Sequence, residues 1–360
     1  MSRYGPNGGF MGPRVDLNGV TFHGGIFPLS KQQQVRGSAD PAKSAWPNSP
    51  FSSDYLVVGG GGSAAGSGYN GGGGAGGYRA STSEGPGGPS PSSEAAVTIT
   101  LGTPYPINVG LGGVRNVFAD AHGKPSTFGP IVSIGGGVGG GYPHSPPGGT
   151  PNGGGTPGGS GGGGGYHIGP PWAGSYAANS AGTATSGQGY PGGITALPPN
   201  SGQGGGGGAG SAGTGNIHAA SPAFRVGVGG DGGIGKVSPF DQVLRAGGGG
   251  GGGYTTGTGG NGTYGGGDGG LPILYHQNHP SPISSVARDG LDGTGGGGGG
   301  AVGYSNNGHG GKGIIIFTAP KDAVATFTPG VTSTNVISSY GRTYTVNATS
   351  NQAQTFYFTG

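Results

Sequence analysis

"AGGGGGGGYTTG", Ala246–Gly257, places seven consecutive glycines before a tyrosine. Glycine loses more backbone freedom on folding than any other residue, so an ordered run of this length carries a large entropic cost. Similar runs occur at 161–165, 204–208 and 295–300. Such a run is either a flexible spacer or part of a structure in which side chains would hold neighbouring backbones apart.

The overall composition bears on both alternatives. Glycine (101 residues) and proline (30) make up more than a third of the 360 residues, which is typical of low-complexity or disordered chains. Disorder usually combines low hydrophobicity with high net charge, however. Here 8% of residues are charged, the formal net charge is +3 and 30% are hydrophobic. We therefore expect an ordered glycine-rich chain, with a disordered spacer as the alternative.

Several functional classes are disfavoured by residue content. The absence of cysteine excludes disulfides, thiolate metal sites and a cysteine nucleophile. The 15 Lys and Arg residues are scattered, so we expect no nucleic-acid partner. The longest aliphatic runs, Tyr55–Val58 and Gly313–Phe317, are too short for membrane insertion. The first residues show no apolar segment typical of a Sec-type signal.

Changes in residue composition divide the chain into three zones. Residues 1–53 are irregular and form an expected attachment segment, 54–318 are the glycine-rich body, and 319–360 are rich in Thr, Val, Tyr and Phe. The last zone predicts two or three short β-strands. Apolar runs that border the body predict one strand at Tyr55–Val58 and another at Gly313–Ile316.

The glycine runs suggest a specific backbone packing. A polyproline-II-type helix has three residues per turn and a rise of about 3.1 Å, so seven glycines span about 22 Å. It has no internal hydrogen bonds, so buried N–H and C=O groups need lateral partners. Collagen is excluded because no strict Gly-X-Y period holds. We predict an irregular, glycine-rich fold: a bundle or sandwich of polyglycine-II helices with flanking short β-strands and almost no α-helix.

Glycine-rich sequence matches several chemical motifs by accident. Gly230–Val237 fits a phosphate-binding loop except that Val237 replaces the Ser or Thr and Pro239 disfavours the following helix. Four Asp-Gly pairs lack the nine-residue register of calcium repeats, which favours turns. Glutamate occurs only at Glu84 and Glu94, so no paired-carboxylate glycosidase is indicated. We expect no enzyme activity, no cofactor and no metal.

Aromatic and histidine residues between the glycine runs are the candidate receptor-binding residues. His276 and His279 have a spacing that also suits a zinc pair, but the surrounding prolines disfavour the required helix. Two interpretations stay open: the rings cap glycine helices, or they form a binding surface, since Tyr and Trp offer rigid contact area. The candidates are Tyr142, His144, Tyr166, His167, Trp172, Tyr176, Tyr275, His276 and His279.

The ordered series of glycine runs resembles a known type of domain. Its motifs are "DYLVVGGGG" at 54–62, "GGGGAGGYR" at 71–79, "AGGGGGGGY" at 246–254 and "GGKGIII" at 310–316. The series is similar to the glycine-rich repeat domain of phage tail-fibre and virion surface proteins, including the distal adhesins of T-even-type phages. The resemblance covers about 54–318 and implies a polyglycine-II sandwich that displays variable loops.

From this resemblance we expect a non-enzymatic virion protein on the particle surface, in the tail. The expected role is a tail-fibre or tail-tip adhesin that binds a bacterial surface polysaccharide or outer-membrane protein. The alternatives are a purely structural virion protein, such as a head decoration or tail connector, and an ice-binding protein. Residues 1–53, 319–360 or both are expected to contact other virion proteins. We also expect the body to remain folded when 319–360 are deleted.

Overall fold

The fold is described from a computed structural model. It describes residues 10–11, 16–17, 20–21, 26–27, 50–64, 69–81, 94–115, 117–141, 153–165, 180–195, 202–219, 226–255, 257–270, 286–301, 307–338, 341–350 and 353–359.

The described chain is rich in short strands. Its helical content is a single 3-10 turn at Phe118–Asp120, and no described helix has the length and apolarity needed to span a membrane. The strands are β1 Phe10–Met11, β2 Asp16–Leu17, β3 Val20–Thr21, β4 Ile26–Phe27, β5 Phe51–Ser53, β6 Tyr55–Val58, β7 Tyr78–Ala80, β8 Val97–Ile99, β9 Tyr105–Asn108, β10 Ser126–Phe128, β11 Ile131–Ser133, β12 Ile217–Ala219, β13 Val226–Val228, β14 Lys236–Val237, β15 Leu244–Arg245, β16 Tyr254–Thr255, β17 Ile314–Ala319, β18 Val324–Phe327, β19 Val331–Ile337, β20 Arg342–Thr349 and β21 Gln354–Thr359.

Two five-stranded antiparallel sheets form the largest regular part. One has the order β19-β20-β17-β6-β7 and the other β11-β10-β9-β21-β18. In the first sheet, Ile315 pairs with Val57 on one side and with Val346 on the other. The prediction of short strands with almost no helix is therefore confirmed for the described residues, and the structure adds that these strands pair antiparallel.

The predicted border strands are present. The strand at Tyr55–Val58 is confirmed as β6. The second was expected at Gly313–Ile316, but β17 runs from Ile314 to Ala319, because Phe317 is buried and Ala319 continues the pairing with β20. Among its described residues the C-terminal zone has four strands, β18–β21, and not the two or three expected.

One aromatic core joins strands from the start of the glycine-rich body with strands of the C-terminal zone. Phe317 of β17 lies 4.8 Å from Phe128 and 5.3 Å from Phe356 between ring centroids. Tyr55 and Phe358 are fully buried in the same cluster. The expectation that the body stays folded without residues 319–360 stays a prediction, and this core argues against it, because that deletion removes Phe356 and Phe358 from its centre.

The glycine-rich segments bond sideways with a period of three. Along 59–64, each N–H donates to the same neighbour as the N–H three residues later. The bonds are Gly59 to Gly77 and Gly62 to Gly74; Gly60 to Lys124 and Ser63 to Ala121; Gly61 to Gly311 and Ala64 to Gly308. The backbone groups are thus satisfied by three different segments, not within the run.

The segment 70–77 lies at the centre of this arrangement. Its N–H groups donate to segments 295–301, 134–140 and 204–207. Its carbonyls accept from three others, through Gly59 and Gly62, Ser160 and Gly163, and Gly249 and Gly252. Donor and acceptor directions together give this segment six neighbours, so it is enclosed by backbone on every side.

Peripheral segments show the same period in their exposure. In 229–235 the exposed residues are Asp231 and Ile234, three apart, and the glycines between them are buried. In 257–264 the exposed residues are Thr258, Asn261 and Tyr264. In these two segments the exposed side chains therefore recur in the one direction out of three that faces solvent.

Successive glycine segments alternate in direction: one leads away from the two five-stranded sheets and the next leads back to them. Gly59 directly follows β6 and bonds to Gly77, which directly precedes β7, whereas Ala64 at the other end bonds to Gly308. The body therefore has a sheet end, defined by the two five-stranded sheets, and a loop end opposite, where Ala64, Asn70 and Ala301 lie.

Candidate functional site

All nine candidate residues lie outside the described part of the chain. They are Tyr142, His144, Tyr166, His167, Trp172, Tyr176, Tyr275, His276 and His279. The three segments that carry them, 142–152, 166–179 and 271–285, are flanked by described residues. The positions of those flanking residues show where each segment leaves the body and returns.

The flanks of the first two segments lie side by side. The N–H of Gly165 donates to the carbonyl of Gly153 over 3.1 Å, and the N–H of Gly155 donates to that of Ser180 over 3.0 Å. Gly140 donates to Gly163 over 2.8 Å. Both segments therefore begin and end at the same place on the body.

The third segment starts at the same end. The N–H of Gly270, directly before it, donates to Gly300 over 2.8 Å, beside Ala301 at the loop end. Gly71, one residue inside the loop end, donates to Gly140 and so places the first segment there too. The structure thus brings the attachment points of all three segments to the loop end.

A small sheet and a pair of tyrosines also lie at the loop end. Strands β12, β13 and β16 form a three-stranded antiparallel sheet. The rings of Tyr69 and Tyr254 are 5.4 Å apart between centroids and tilted by 36°. Neither tyrosine was among the candidates, although Tyr254 ends the longest glycine run and its position after that run was the available signal.

Two buried asparagine side chains bond to the backbone at the ends of the glycine segments next to this pair. Asn70 and Asn307 are fully buried. The Asn70 Nδ2 donates to Asn307 Oδ1 over 3.1 Å and to the Ala301 carbonyl over 3.2 Å. Asn307 Oδ1 also accepts from the Ala301 N–H over 3.0 Å. These side chains satisfy backbone groups where the glycine segments end, so their role is structural.

The lysine of the phosphate-loop pattern has a packing role. Lys236 lies in β14 and is buried, with its Nζ 5.6 Å from the centroid of the Tyr78 ring. The Tyr78 hydroxyl donates to the Val237 carbonyl over 3.0 Å. The pattern is followed by a strand and a turn here, not by the helix whose N-terminus a phosphate would require.

The aspartates of the Asp-Gly pairs accept backbone hydrogen bonds at the periphery. Their Oδ1 atoms accept backbone N–H groups of a neighbouring segment over 2.7–2.9 Å. The pairs are Asp231 with Asn261, Asp268 with Gly262, Asp289 with His309 and Asp292 with Lys312. Each carboxylate accepts an N–H that, in a central segment, would donate to the backbone carbonyl of another neighbouring segment. The described residues contain no cluster of three or more His, Asp or Glu ligands suited to a metal.

The sheet end holds a charged network around Glu94. Its carboxylate accepts from the Tyr55 hydroxyl over 2.9 Å and from Arg79 Nε over 2.9 Å. Burial raises the pKa of Glu94, but the hydrogen bonds from Arg79 and Tyr55 outweigh it, so the pKa lies below its ordinary value. Burial, together with Glu94, raises the pKa of the Tyr55 hydroxyl. The network links β6, through Tyr55, and β7, through Arg79, to Glu94, which lies just before β8. The Glu94 carboxylate is engaged by both partners, so it is not a free general base.

A cavity of about 420 Å³ lies on the flank of the body, next to the start of segment 109–114. Its polar lining groups bond to one another: Lys124 Nζ donates to Asp120 over 3.0 Å, and Thr349 Oγ1 donates to Asn108 over 2.9 Å. None of the candidate residues lines this cavity. It therefore adds nothing to the candidate site.

Comparison with known proteins identifies the domain type. A family model described as a glycine-rich domain matches residues 39–320, from before β5 to the residue that follows β17. Neither the curated proteins nor the solved structures contain a match to this chain.

Proposed function

The chain belongs to the glycine-rich domain family, and on that premise we propose that it is a phage tail-fibre or tail-tip adhesin without enzyme activity. The observation that carries the proposal is the separation of the two ends. The flanks of the aromatic segments 142–152, 166–179 and 271–285 lie at the loop end, and the folded core lies at the sheet end. Such a body presents the aromatic segments at a distance from its attachment point.

The proposed scaffold is a lattice of polyglycine-II helices. The three-residue period of the lateral hydrogen bonds is that of a helix with three residues per turn. The six neighbours of segment 70–77 agree with helices packed side by side, with donors and acceptors alternating around each one. A rigid lattice of this kind lowers the ordering cost that its loops incur on binding.

Recognition is assigned to the segments and not to the lattice. Central segments are nearly free of side chains, so they offer nothing that distinguishes one bacterial surface from another. Tyr166, His167 and Trp172 combine apolar ring area with hydrogen-bonding groups. The proposed ligand is a surface polysaccharide or an outer-membrane protein of the bacterial host.

Attachment to the particle is assigned to the sheet end. Strand β19 is the edge of its sheet and pairs only with β20 among the described strands. Its sequence, VTSTNVI, has no charge and no proline, and Val336 is 70% exposed. Edge strands without such protection pair readily with other chains. We assign β19, with residues 1–53, to contacts with other virion proteins of the tail.

Replacing Tyr166, His167 and Trp172 together by Ala tests the proposal. We expect reduced adsorption to the host bacterium and a Tm within a few degrees of wild type. The control replaces Tyr4, Phe10 and Phe22 by Ala, in the segment assigned to attachment, and particles that incorporate it are expected to keep the wild-type host range. Normal adsorption of the first variant on particles that still assemble would contradict the adhesin role.

The second candidate function is a purely structural virion protein, and the unprotected β19 edge favours it equally. Labelled electron microscopy of the particle separates the two candidates. An adhesin lies at the tail tip with its loop end outward, whereas a head decoration or tail connector lies against the capsid or within the tail.

A further inference from the structure

Tyr69 and Tyr254 form a paired aromatic surface at the loop end. Their ring centroids are 5.4 Å apart, and both side chains are partly exposed. They stand at the ends of two adjacent segments, 70–77 and 246–253. These segments are joined by hydrogen bonds from Gly249 to Gly73 over 3.0 Å and from Gly252 to Asn70 over 3.1 Å.

The described backbone next to each tyrosine is held by hydrogen bonds. Tyr254 lies in β16, where it pairs with Gly227 of β13, and its carbonyl accepts from the Gly257 N–H over 2.9 Å. Next to Tyr69, the Asn70 N–H donates to Ala301 over 2.9 Å. A ligand that contacts these rings therefore orders little additional chain.

Tyr69 occupies a backbone conformation that suits glycine. Its φ is 51°, in the left-handed region that bulky side chains rarely adopt. Gly153 and Gly295 begin other segments with φ values of 81° and 65°. A chain with 101 glycines nevertheless has a tyrosine here. A strained tyrosine that packs against a second partly exposed ring, and not the strain by itself, points to a use for the ring.

We propose that the Tyr69–Tyr254 pair binds the apolar face of a neutral sugar ring on the bacterial surface. This inference rests on the proposed adhesin function and names its ligand class. A sugar presents C–H groups on its ring face, which suit an aromatic surface, and hydroxyls at its rim. The described residues that end the central segments here are uncharged, namely Ala64, Asn70, Thr195, Gln203, Ala301 and Asn307. These uncharged segment ends favour a neutral sugar over a phosphate or an acidic sugar.

The test combines Tyr69→Gly with Tyr254→Leu in the full-length chain. Glycine relieves the left-handed strain and leucine keeps apolar volume, so the variant is expected to fold. The matched control is Tyr264→Gly, because Tyr264 also has a positive φ of 44° but is not at the loop end. Circular dichroism and Tm verify folding of both variants.

The measurement is adsorption of purified protein to the bacterium that the parent particle infects. We expect the double variant to bind about tenfold more weakly and the control to bind as wild type. Wild-type binding should also be inhibited by a neutral methyl hexoside, tested as the gluco, galacto and manno forms, and abolished by periodate oxidation of the cells.

Three outcomes would overturn the inference. Wild-type affinity in a folded double variant would remove the tyrosine pair from the site. Binding that survives periodate but not protease treatment of the cells would make the ligand a protein. If the wild-type chain adsorbs to no host cells, the adhesin function itself fails, and the sugar site fails with it.

Discussion

The carbonyl of Gly298 occupies the space that a Cβ on Gly249 would need. The added atom would lie closer than 3.0 Å to it, a separation that real Cβ atoms essentially never show. Gly73, in the central segment, meets the same obstacle at the Gly62 carbonyl. At the residue scale, glycine is required here because a neighbouring backbone approaches, and the hydrogen bond from Gly249 to Gly73 depends on that approach.

Gly249→Val is therefore expected to destabilise the fold by at least the roughly 1–3 kcal/mol typical of overpacked cores. The valine must push segment 295–301 away and weaken the bonds around it. Thermal or denaturant unfolding measures the loss. The control, Ile234→Val, places valine at a solvent-facing third position, and we expect unchanged stability. Equal Tm values for the two variants would mean that the run 247–253 is a surface spacer.

Glu94 predicts an acid-sensitive sheet end. Its pKa is lower in the folded chain than its ordinary value of 4.5. The stabilisation is therefore complete above about pH 4.5 and is lost as the pH falls through the lower folded value. We expect the Tm of wild type to fall more steeply below pH 4.5 than that of Glu94→Gln. Asp322→Asn, at an exposed carboxylate, should follow the wild-type curve; identical curves for all three proteins would contradict this role of Glu94.

At the scale of elements, strand β21 decides whether the two sheets share a core. Phe356 is fully buried, and the next residue, Tyr357, is 39% exposed. Successive strand residues point to opposite faces of a sheet, so this strand offers its own control. Phe356→Ala should cost about 3–5 kcal/mol in unfolding free energy. Tyr357→Ala should cost less than about 1 kcal/mol, and a similar cost for both would mean that β21 does not pack as described.

Strand β19 is the element expected to contact the particle. Thr334→Lys places a charge on this exposed edge, which blocks pairing with another strand without disturbing the core. We expect the variant to fold with wild-type Tm but to enter particles poorly. Asn347→Lys puts the same charge on the exposed surface of β20, an interior strand, and should be incorporated normally. Normal incorporation of both would exclude the β19 edge as the attachment surface.

For the whole molecule, the arrangement of segments predicts a gradient of protection. Segment 70–77 has neighbours on all sides, whereas 257–264 exposes every third residue. Opening the central segment requires its neighbours to move, so its amides should exchange by global unfolding, and the peripheral amides by local opening. Hydrogen exchange with mass spectrometry should show slower exchange at 70–77. Uniform rates would indicate that the body opens as one unit.

The sequence by itself determined the main character of the fold. Glycine runs bounded by apolar residues predicted strand β6 and a chain almost without helix, and low charge argued against a spacer. The sequence also contained a finer signal, a three-residue spacing of non-glycine residues, but it extends over only a few residues in each segment. Asp231 and Ile234, three apart between paired glycines, mark a peripheral segment, while uninterrupted glycine marks a central one. The three-residue spacing occurs only in peripheral segments, because only these have a side that faces solvent.

Only the tertiary structure decided which segments are neighbours. Gly59 bonds to Gly77 but Gly61 bonds to Gly311, and identical glycines carry no information that distinguishes these partners. For the same reason the sequence did not show that the C-terminal strands share a core with Tyr55, or that Tyr69 and Tyr254 meet at the loop end. Side chains select their packing partners through shape and charge. Glycine segments have no side chains, so which segments become neighbours depends on the path of the whole chain.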